Sequence, residues 1–153
     1  MLDLIHELAD LSNALEDEKV PYALCGGLAM AVFGKARATA DIDLLIPLED
    51  AEHAQAVARQ QGFKLKGGAM KFAKGAIEIR RSTKIDPETG APLCVDFLLV
   101  TQPIEKAWNG RRRVKWKGGM LWVVSRSGLV SLKLLRNSGQ DKEDIQALKR
   151  RGR

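Results

Sequence analysis

Residues 25–46, CGGLAMAVFGKARATADIDLLI, decide how this chain of 153 residues is interpreted. The stretch opens on the glycine pair Gly26-Gly27 and closes on two aspartates, Asp41 and Asp43, inside an apolar run. Side chains at positions i and i+2 of a strand point to the same face, about 6.6 Å apart along the chain. Two carboxylates on one face of a buried strand repel each other, so this strand needs a cationic partner.

A third acid, Asp96, interrupts the apolar run 93–100 (LCVDFLLV), which predicts another strand. Its neighbours predict burial, so this carboxylate also needs a partner. If the two strands are adjacent, three carboxylates converge on one site, and oxygen ligands of this kind suit Mg²⁺ or Mn²⁺ together with substrate phosphates. Glu78 is the alternative third acid, but Asp96 lies in the more apolar strand.

The glycine pair supplies the other half of a possible site. Between a strand and a short helix, Gly26 and Gly27 let backbone N–H groups approach an anion closely, and the helix N-terminus adds the positive end of its dipole. An ordinary turn is the alternative interpretation. A triphosphate held between this turn and two metal ions would react by nucleotidyl transfer, because the metals activate a hydroxyl and stabilise the leaving pyrophosphate.

In this order, the motifs resemble the polymerase-beta-type nucleotidyltransferase superfamily in its minimal bacterial form. The family motif, hG[G/S], then DhDh, then a lone acid in a strand, reads here as Cys25-Gly26-Gly27, Asp41-Ile42-Asp43-Leu44 and Val95-Asp96-Phe97. The resemblance implies transfer of a nucleoside monophosphate from an NTP. It also implies that Asp41, Asp43 and Asp96 are the catalytic and metal-binding residues and that the glycines hold the phosphates. Gly27 stands where many relatives have serine.

Two more nucleotide-binding candidates precede the acids. Arg37 and Thr39, in the sequence Arg-Ala-Thr, match an R-x-T that is frequent in the family. The resemblance implies that they position the nucleotide or the acceptor. A surface loop without such a role is the alternative.

The stretch 125–148 resembles the end of the toxin-type nucleotidyltransferases of abortive-infection and toxin–antitoxin systems. Those proteins carry a helical lysine, a short break and a D-x-x-D helix, which correspond here to Lys133, Asp141 and Asp144. These three residues are further nucleotide-binding candidates. The alternatives are a surface lysine on an amphipathic helix and an aspartate that caps a helix N-terminus.

The net charge of +6 is distributed unevenly and bears on the partners. Residues 103–153 carry 14 Lys and Arg against 4 Asp and Glu, whereas the rest of the chain is net negative. The basic segment 111–117 (RRRVKWK) could hold an RNA backbone and stack a base, or it could be an exposed hairpin whose tryptophans pack on the sheet. We therefore expect NTP as substrate and RNA (including the tRNA end) or a protein hydroxyl as acceptor, without readout of DNA sequence.

A composition of 45% hydrophobic and 29% charged residues is typical of a globular protein. Periodicity and turn residues predict an α+β (mixed α/β) fold, with a small mixed sheet, helices packed on one face and C-terminal helices. We expect one domain over 1–148 and a disordered basic tail at 149–153. The predicted strands are 22–25, 41–46, 93–100 and hairpins within 63–81 and 114–124, and the predicted helices are 2–18, 28–33, 49–61, 103–108, 125–137 and 142–150.

The sequence also bears on where the protein is located and on whether it is an enzyme. Two cysteines in apolar runs predict free thiols in a reducing cytoplasm, and no apolar stretch is long enough to span a bilayer. The alternative to an enzyme is a nucleotide-binding antitoxin or regulatory module with the same fold and little or no catalysis.

Overall fold

A computed structural model describes residues 1–35, 39–117, 119–136 and 145–149. Residues 145–149 are helical, and five further helices lie within these ranges: α1 (Leu4–Asp17), α2 (Gly26–Val32), α3 (Ala51–Gln60), α4 (Glu105–Asn109) and α5 (Arg126–Arg136). The strands are β1 (Ala23–Cys25), β2 (Asp41–Pro47), β3 (Leu65–Phe72), β4 (Ile77–Ile85), β5 (Pro92–Val100), β6 (Arg112–Trp116) and β7 (Gly119–Val123).

These strands form one mixed sheet in the order β3-β4-β5-β2-β1-β7-β6. Strand β2 pairs in parallel with β5, and β1 pairs in parallel with β7. The other neighbouring strands are antiparallel. The predicted mixed α+β fold is therefore confirmed.

Strands β2 and β5 lie at the centre of the sheet because both carry long apolar sequences. Ile42 and Leu44 of β2, and Val95 and Phe97 of β5, are fully buried. Since side chains alternate along a strand, these residues share one face, and the aspartates of β2 turn to the other. The same alternation thus builds the core and sets the acids apart from it.

Helices α1 and α3 cover the apolar face. Helix α1 begins after Asp3, whose side chain accepts a hydrogen bond from the N–H of Ile5, and its leucines fill the core. On α3, Gln55 donates to the Ser82 hydroxyl of β4 at 3.4 Å, while Lys84 of β4 forms an ion pair with Glu7 of α1. These polar contacts tie both helices to the face opposite the aspartates.

Differences from the predicted elements lie mainly at their ends. Helix α2 begins at Gly26, so the glycine pair is the first turn of this helix rather than a turn before it. Strand β4 runs on to Ile85, beyond the predicted end of its hairpin. Lys149, predicted to start the tail, lies in the helical segment, and the rest of the tail is outside the described residues.

Both cysteines are free thiols, as predicted, although Cys94 is half-buried rather than part of the core. No helix in the described part of the chain combines the length and the apolar character needed to cross a membrane. The cytoplasmic location stays a prediction.

Helix α5 packs so closely at Gly128 that a side chain there has no room. A Cβ atom at this position would lie 2.5 Å from Cγ1 of the buried Val124 and 3.3 Å from Cβ of Ala107. We expect Gly128→Ala to lower the free energy of unfolding by about 1–3 kcal/mol despite the better helix propensity of alanine, because the neighbours must shift. Urea denaturation measures this, with the exposed Ser131→Ala as the control in the same helix. Equal or higher stability of the Gly128 variant would contradict the packing.

Candidate active site

Three carboxylates lie together on the two central strands. The parallel register places Asp43 of β2 directly opposite Asp96 of β5, and Asp41 opposite Cys94. Asp41 and Asp43 share a face because they are two residues apart. Asp96 is 5% exposed, so this acid is buried as predicted.

Burial and, after it, mutual repulsion raise the pKa values in this cluster. Burial, followed by the carboxylates of Asp96 and Asp41, raises the pKa of Asp43 to about 7, against the opposing pull of Arg136 and Lys133. Burial and then Asp96 also raise the pKa of Asp41, while Arg81 counteracts this. The protein alone therefore leaves the negative charge of the cluster incompletely balanced, and a cation bound there would be stabilised.

Arg81 of β4 is the partner of the third acid. Its Nε donates to Asp96 Oδ1 at 2.7 Å, and Nη2 donates to Oδ2 at 2.9 Å. This two-point contact fixes the plane of the carboxylate, as expected for a guanidinium facing a carboxylate. Hydrogen bonding to Asp96 in turn raises the pKa of Arg81.

Sequence reasoning missed Arg81, although a signal for it was present. A short loop joins strands β4 and β5, and the first pair next to the loop is Ile85 with Pro92. Each further pair moves back one residue on β4 and forward one residue on β5, so the two residue numbers of a pair always add up to 177. The turn residues Pro87, Gly90 and Pro92 mark this loop in the sequence. Counting back from it places Arg81 across from Asp96, so hairpin register alone would have named this partner.

Gly26 holds the second aspartate in place. Cys25 is the antiparallel register partner of Asp43, and Gly26 follows with a left-handed φ of +68°. A Cβ atom on Gly26 would lie 2.1 Å from Oδ2 of Asp43. The carboxylate therefore rests against the bare α-carbon of the glycine, which explains the need for glycine by conformation and by space.

Helix α5 brings positive charge to the cluster. Lys133 is only 3% exposed, so the alternative that it is a surface lysine is wrong. Both Lys133 and Arg136 favour the ionised form of Asp43 and thereby lower its pKa. Arg136 was not among the predicted residues, because nothing in a sequence shows that a helix end faces a distant strand.

The other predicted site residues lie in several places. The Thr39 hydroxyl donates to the backbone carbonyl of Asp41 at 3.4 Å, and Gly27 is buried in the first turn of α2. Glu78, the alternative third acid, accepts from Arg80 at 3.3 Å and alternates onto the face opposite the aspartates. The remaining three candidates lie outside the described residues: Arg37, Asp141 and Asp144.

The donor set fits a divalent metal by its chemistry. Hard carboxylate oxygens, with an excess of negative charge at Asp43, are what Mg²⁺ or Mn²⁺ requires. Among the described residues, however, no three His, Cys, Asp or Glu side chains are arranged to enclose a metal ion. Arg81 uses one lone pair of each Asp96 oxygen, so Asp41 and Asp43 are the less engaged ligands, and Asp96 stays a predicted metal ligand through its remaining lone pairs.

The tryptophans in and beside the basic segment 111–117 favour the interpretation of this region as a hairpin whose tryptophans pack on the sheet. Trp108, Trp116 and Trp122 are partly buried against the core. The Arg111 guanidinium lies 3.8 Å from the ring centre of Trp108 and 5.2 Å from that of Trp122. Two of the indoles are thus already covered by an arginine of the same chain.

Comparison with solved structures identifies the architecture. A Thermotoga maritima protein (TM1012), described as a candidate nucleotidyltransferase, matches with a TM-score of 0.64 and 16% identity over 94% of this chain and 90% of its own. The antibiotic-resistance factor ANT(2″)-Ia, solved with adenylyl-2″-tobramycin, matches with a TM-score of 0.63 and 15% identity over 94% of this chain and 86% of its own. The chain has the nucleotidyltransferase fold.

A third structure extends this likeness. The lincosamide adenylyltransferase LnuA, solved with lincomycin bound, matches the nucleotidyltransferase fold of this chain with a TM-score of 0.55 and 21% identity over 94% of this chain and 95% of its own. No family model matches the amino-acid sequence, and neither does any curated protein. At these identities the shared property is the fold. Membership of the superfamily and the particular likeness to toxin-type enzymes both stay predictions.

Replacing Gly26 tests its close contact with the carboxylate of Asp43. We expect Gly26→Ala to cost at least about 1 kcal/mol of folding free energy, because alanine disfavours a positive φ and its Cβ displaces the carboxylate. Thermal unfolding measures the loss. Gly68→Ala is the control, since nothing lies within 4 Å of a Cβ at that position. A Gly26 variant as stable as this control would contradict the contact.

The raised pKa of Asp43 predicts a pH-dependent stability in metal-free buffer. The folded state binds the proton of the Asp43 carboxyl more tightly than the unfolded chain does, because aspartates of the unfolded chain titrate near 3.8. The stabilisation from protonated Asp43 is therefore complete below about pH 4 and is lost as the pH rises through about 7. Asp43→Asn removes the charge, and we expect it to be more stable than the wild type by roughly 4 kcal/mol at pH 8, with little difference at pH 4.

Chemical denaturation at pH 4, 6 and 8 in EDTA measures this dependence. The exposed Asp17→Asn is the control for loss of an acidic charge. If the difference between Asp43→Asn and the wild type is the same at all three pH values, Asp43 does not titrate as described.

Proposed function

We propose that this protein is a metal-dependent nucleotidyltransferase that moves a nucleoside monophosphate from an NTP to a hydroxyl group. The observation that carries the proposal is the register of β2 and β5, which sets Asp43 opposite Asp96 on a nucleotidyltransferase fold. The pKa of about 7 at Asp43 reflects negative charge that a divalent cation would balance.

Asp41 and Asp43 would hold Mg²⁺ or Mn²⁺, which when bound would polarise the phosphates and stabilise the leaving pyrophosphate. Asp96, oriented by Arg81, is placed to accept the proton of the attacking hydroxyl. Lys133 and Arg136 lie near enough to influence Asp43, so they would face the negative charge of a bound triphosphate.

Gly26 and Gly27 would present their backbone N–H groups to the phosphates. Helix α2 has only seven residues, so we assign this role to the close approach that glycine allows rather than to a helix dipole. Arg37, Thr39, Asp141 and Asp144 remain proposed nucleotide contacts, on the motif resemblance alone.

RNA is the acceptor we favour, including a tRNA end, with a protein hydroxyl as the other possibility within a toxin–antitoxin setting. The support is the charge of the C-terminal third, 14 basic against 4 acidic residues, which favours a polyanion. Two of the similar structures were solved with antibiotics or their adenylylated product, so small hydroxylated molecules belong in the same assay.

The second candidate is a nucleotide-binding regulatory module with little or no catalysis. Arg81 holds both oxygens of Asp96, and the described residues do not enclose a metal. If Arg81 keeps this carboxylate, nucleotide would bind without transfer. Binding and transfer therefore have to be measured separately.

Isothermal titration with each of the four NTPs tests the binding step. We expect binding with Mg²⁺ that is lost in EDTA and reduced at least about tenfold in Asp41→Asn/Asp43→Asn, because two charged ligands of the metal are removed. The removal of charge repulsion keeps this variant folded, and Asp17→Asn is the matched control. Absence of NTP binding with either metal would overturn the proposal.

Transfer of label from α-³²P-NTP to tRNA, total cell protein, tobramycin or lincomycin tests the chemical step. Metal-dependent labelling that disappears in the double variant supports the enzyme and identifies the acceptor class. Binding of NTP without labelling of any acceptor supports the regulatory module instead.

A further inference from the structure

A second cavity lies apart from the carboxylates, between the end of α2, the β6–β7 hairpin and the start of α5. It has a volume of about 310 Å³, at the lower end of small-molecule sites. Its lining combines two arginines, Arg112 and Arg126, with the hydroxyls of Ser125 and Ser127. Within the described ranges no acidic side chain lines it.

The two arginines differ from the others that the structure describes. Five described arginines donate to a carboxylate or a carbonyl oxygen: Arg59, Arg80, Arg81, Arg111 and Arg113. Arg136 also has an interaction partner. Arg112 and Arg126 form no ion pair with any described residue, and both line this cavity.

Arg126 has a buried hydrogen-bond donor without an acceptor. Its Nε atom is buried and has no hydrogen-bond acceptor among the described residues, a costly state for a charged group. Its guanidinium carbon lies 5.2 Å from the centre of the Phe33 ring, so the group packs beside an aromatic wall. An anion in the cavity would pair with the outer N–H groups of this guanidinium and so balance its charge.

The apolar part of the lining narrows the class of ligand. Phe33, Val114 and Val123 form walls next to the arginines, so the cavity suits an anionic group attached to a flat or apolar body. Guanidinium groups match phosphate by paired hydrogen bonds, and the plane of a guanidinium packed on an apolar wall can itself stack on a base. A nucleotide unit combines these two features.

We infer that this cavity binds the phosphate and base of a nucleotide, separately from the carboxylate site. Its place suggests a unit of the RNA acceptor, an assignment that rests on the proposed function. Helix α2 begins at Gly26, against Asp43, and ends next to Phe33. Seven residues at 1.5 Å each give α2 a length of about 10 Å, which a short oligonucleotide could span.

Binding in EDTA tests the inference without the metal-dependent site. The probes are AMP, measured by titration calorimetry, and a fluorescein-labelled single-stranded 12-mer of oligoadenylate RNA, measured by anisotropy. We expect Arg112→Ala/Arg126→Ala to weaken binding about tenfold or more, and the exposed Lys71→Ala, on strand β3 at the opposite edge of the sheet, to change it about twofold at most. Arg126→Lys keeps the charge but removes the buried Nε, so it should also weaken binding if the paired geometry matters.

Two further measurements keep this inference distinct from the proposed function. Asp41→Asn/Asp43→Asn should bind the EDTA probes as the wild type does, and the arginine variants should keep Mg²⁺-dependent NTP binding. Binding of AMP that depends on the arginines assigns the cavity to a free nucleotide, and arginine-dependent binding of the 12-mer alone assigns it to an RNA chain. Binding of neither probe, or binding that the arginine variants leave unchanged, would overturn the inference.

Discussion

The parallel pairing of β2 with β5 places two carboxylates, Asp43 and Asp96, side by side at the centre of the sheet. Charges at this depth are tolerated only when something balances them. The protein pairs one directly, through the two-point contact of Arg81 with Asp96, and offsets the other in part, through Lys133 and Arg136. The charge that remains at Asp43 is the feature that separates this site from an ordinary buried ion pair.

Several local features follow from that arrangement. Gly26 lacks a side chain where the Asp43 carboxylate rests, and its positive φ turns the chain from β1 into α2 at that point. Strand β4 must pair with β5 in the register that brings Arg81 to Asp96. The apolar residues on the opposite face of β2 and β5 hold both strands against α1 and α3, so the core fixes the position of acids that would otherwise repel each other.

Arg81 bears on both candidate functions of the fold. While Arg81 holds Asp96 through both oxygens, the third carboxylate has a fixed orientation, and only the remaining lone pairs of its oxygens could face a metal. This favours either an enzyme in which Asp96 acts chiefly on the acceptor hydroxyl, or a module that binds nucleotide at Asp41 and Asp43 without transfer. The cavity at Arg112 and Arg126 is independent of this choice, because it lies at the other end of α2.

The sequence by itself determined the mixed fold, the spacing of Asp41 and Asp43 on one face and the burial of Asp96, because alternation and apolar runs are properties of single strands. The tertiary structure decided which charges meet: Arg81 with Asp96, Lys133 and Arg136 near Asp43, and Arg112 with Arg126 in one cavity. These residues are far apart along the chain, and no periodicity within one element encodes a contact between two. Strand order and helix packing bring them together, and both depend on how the whole core fills its space.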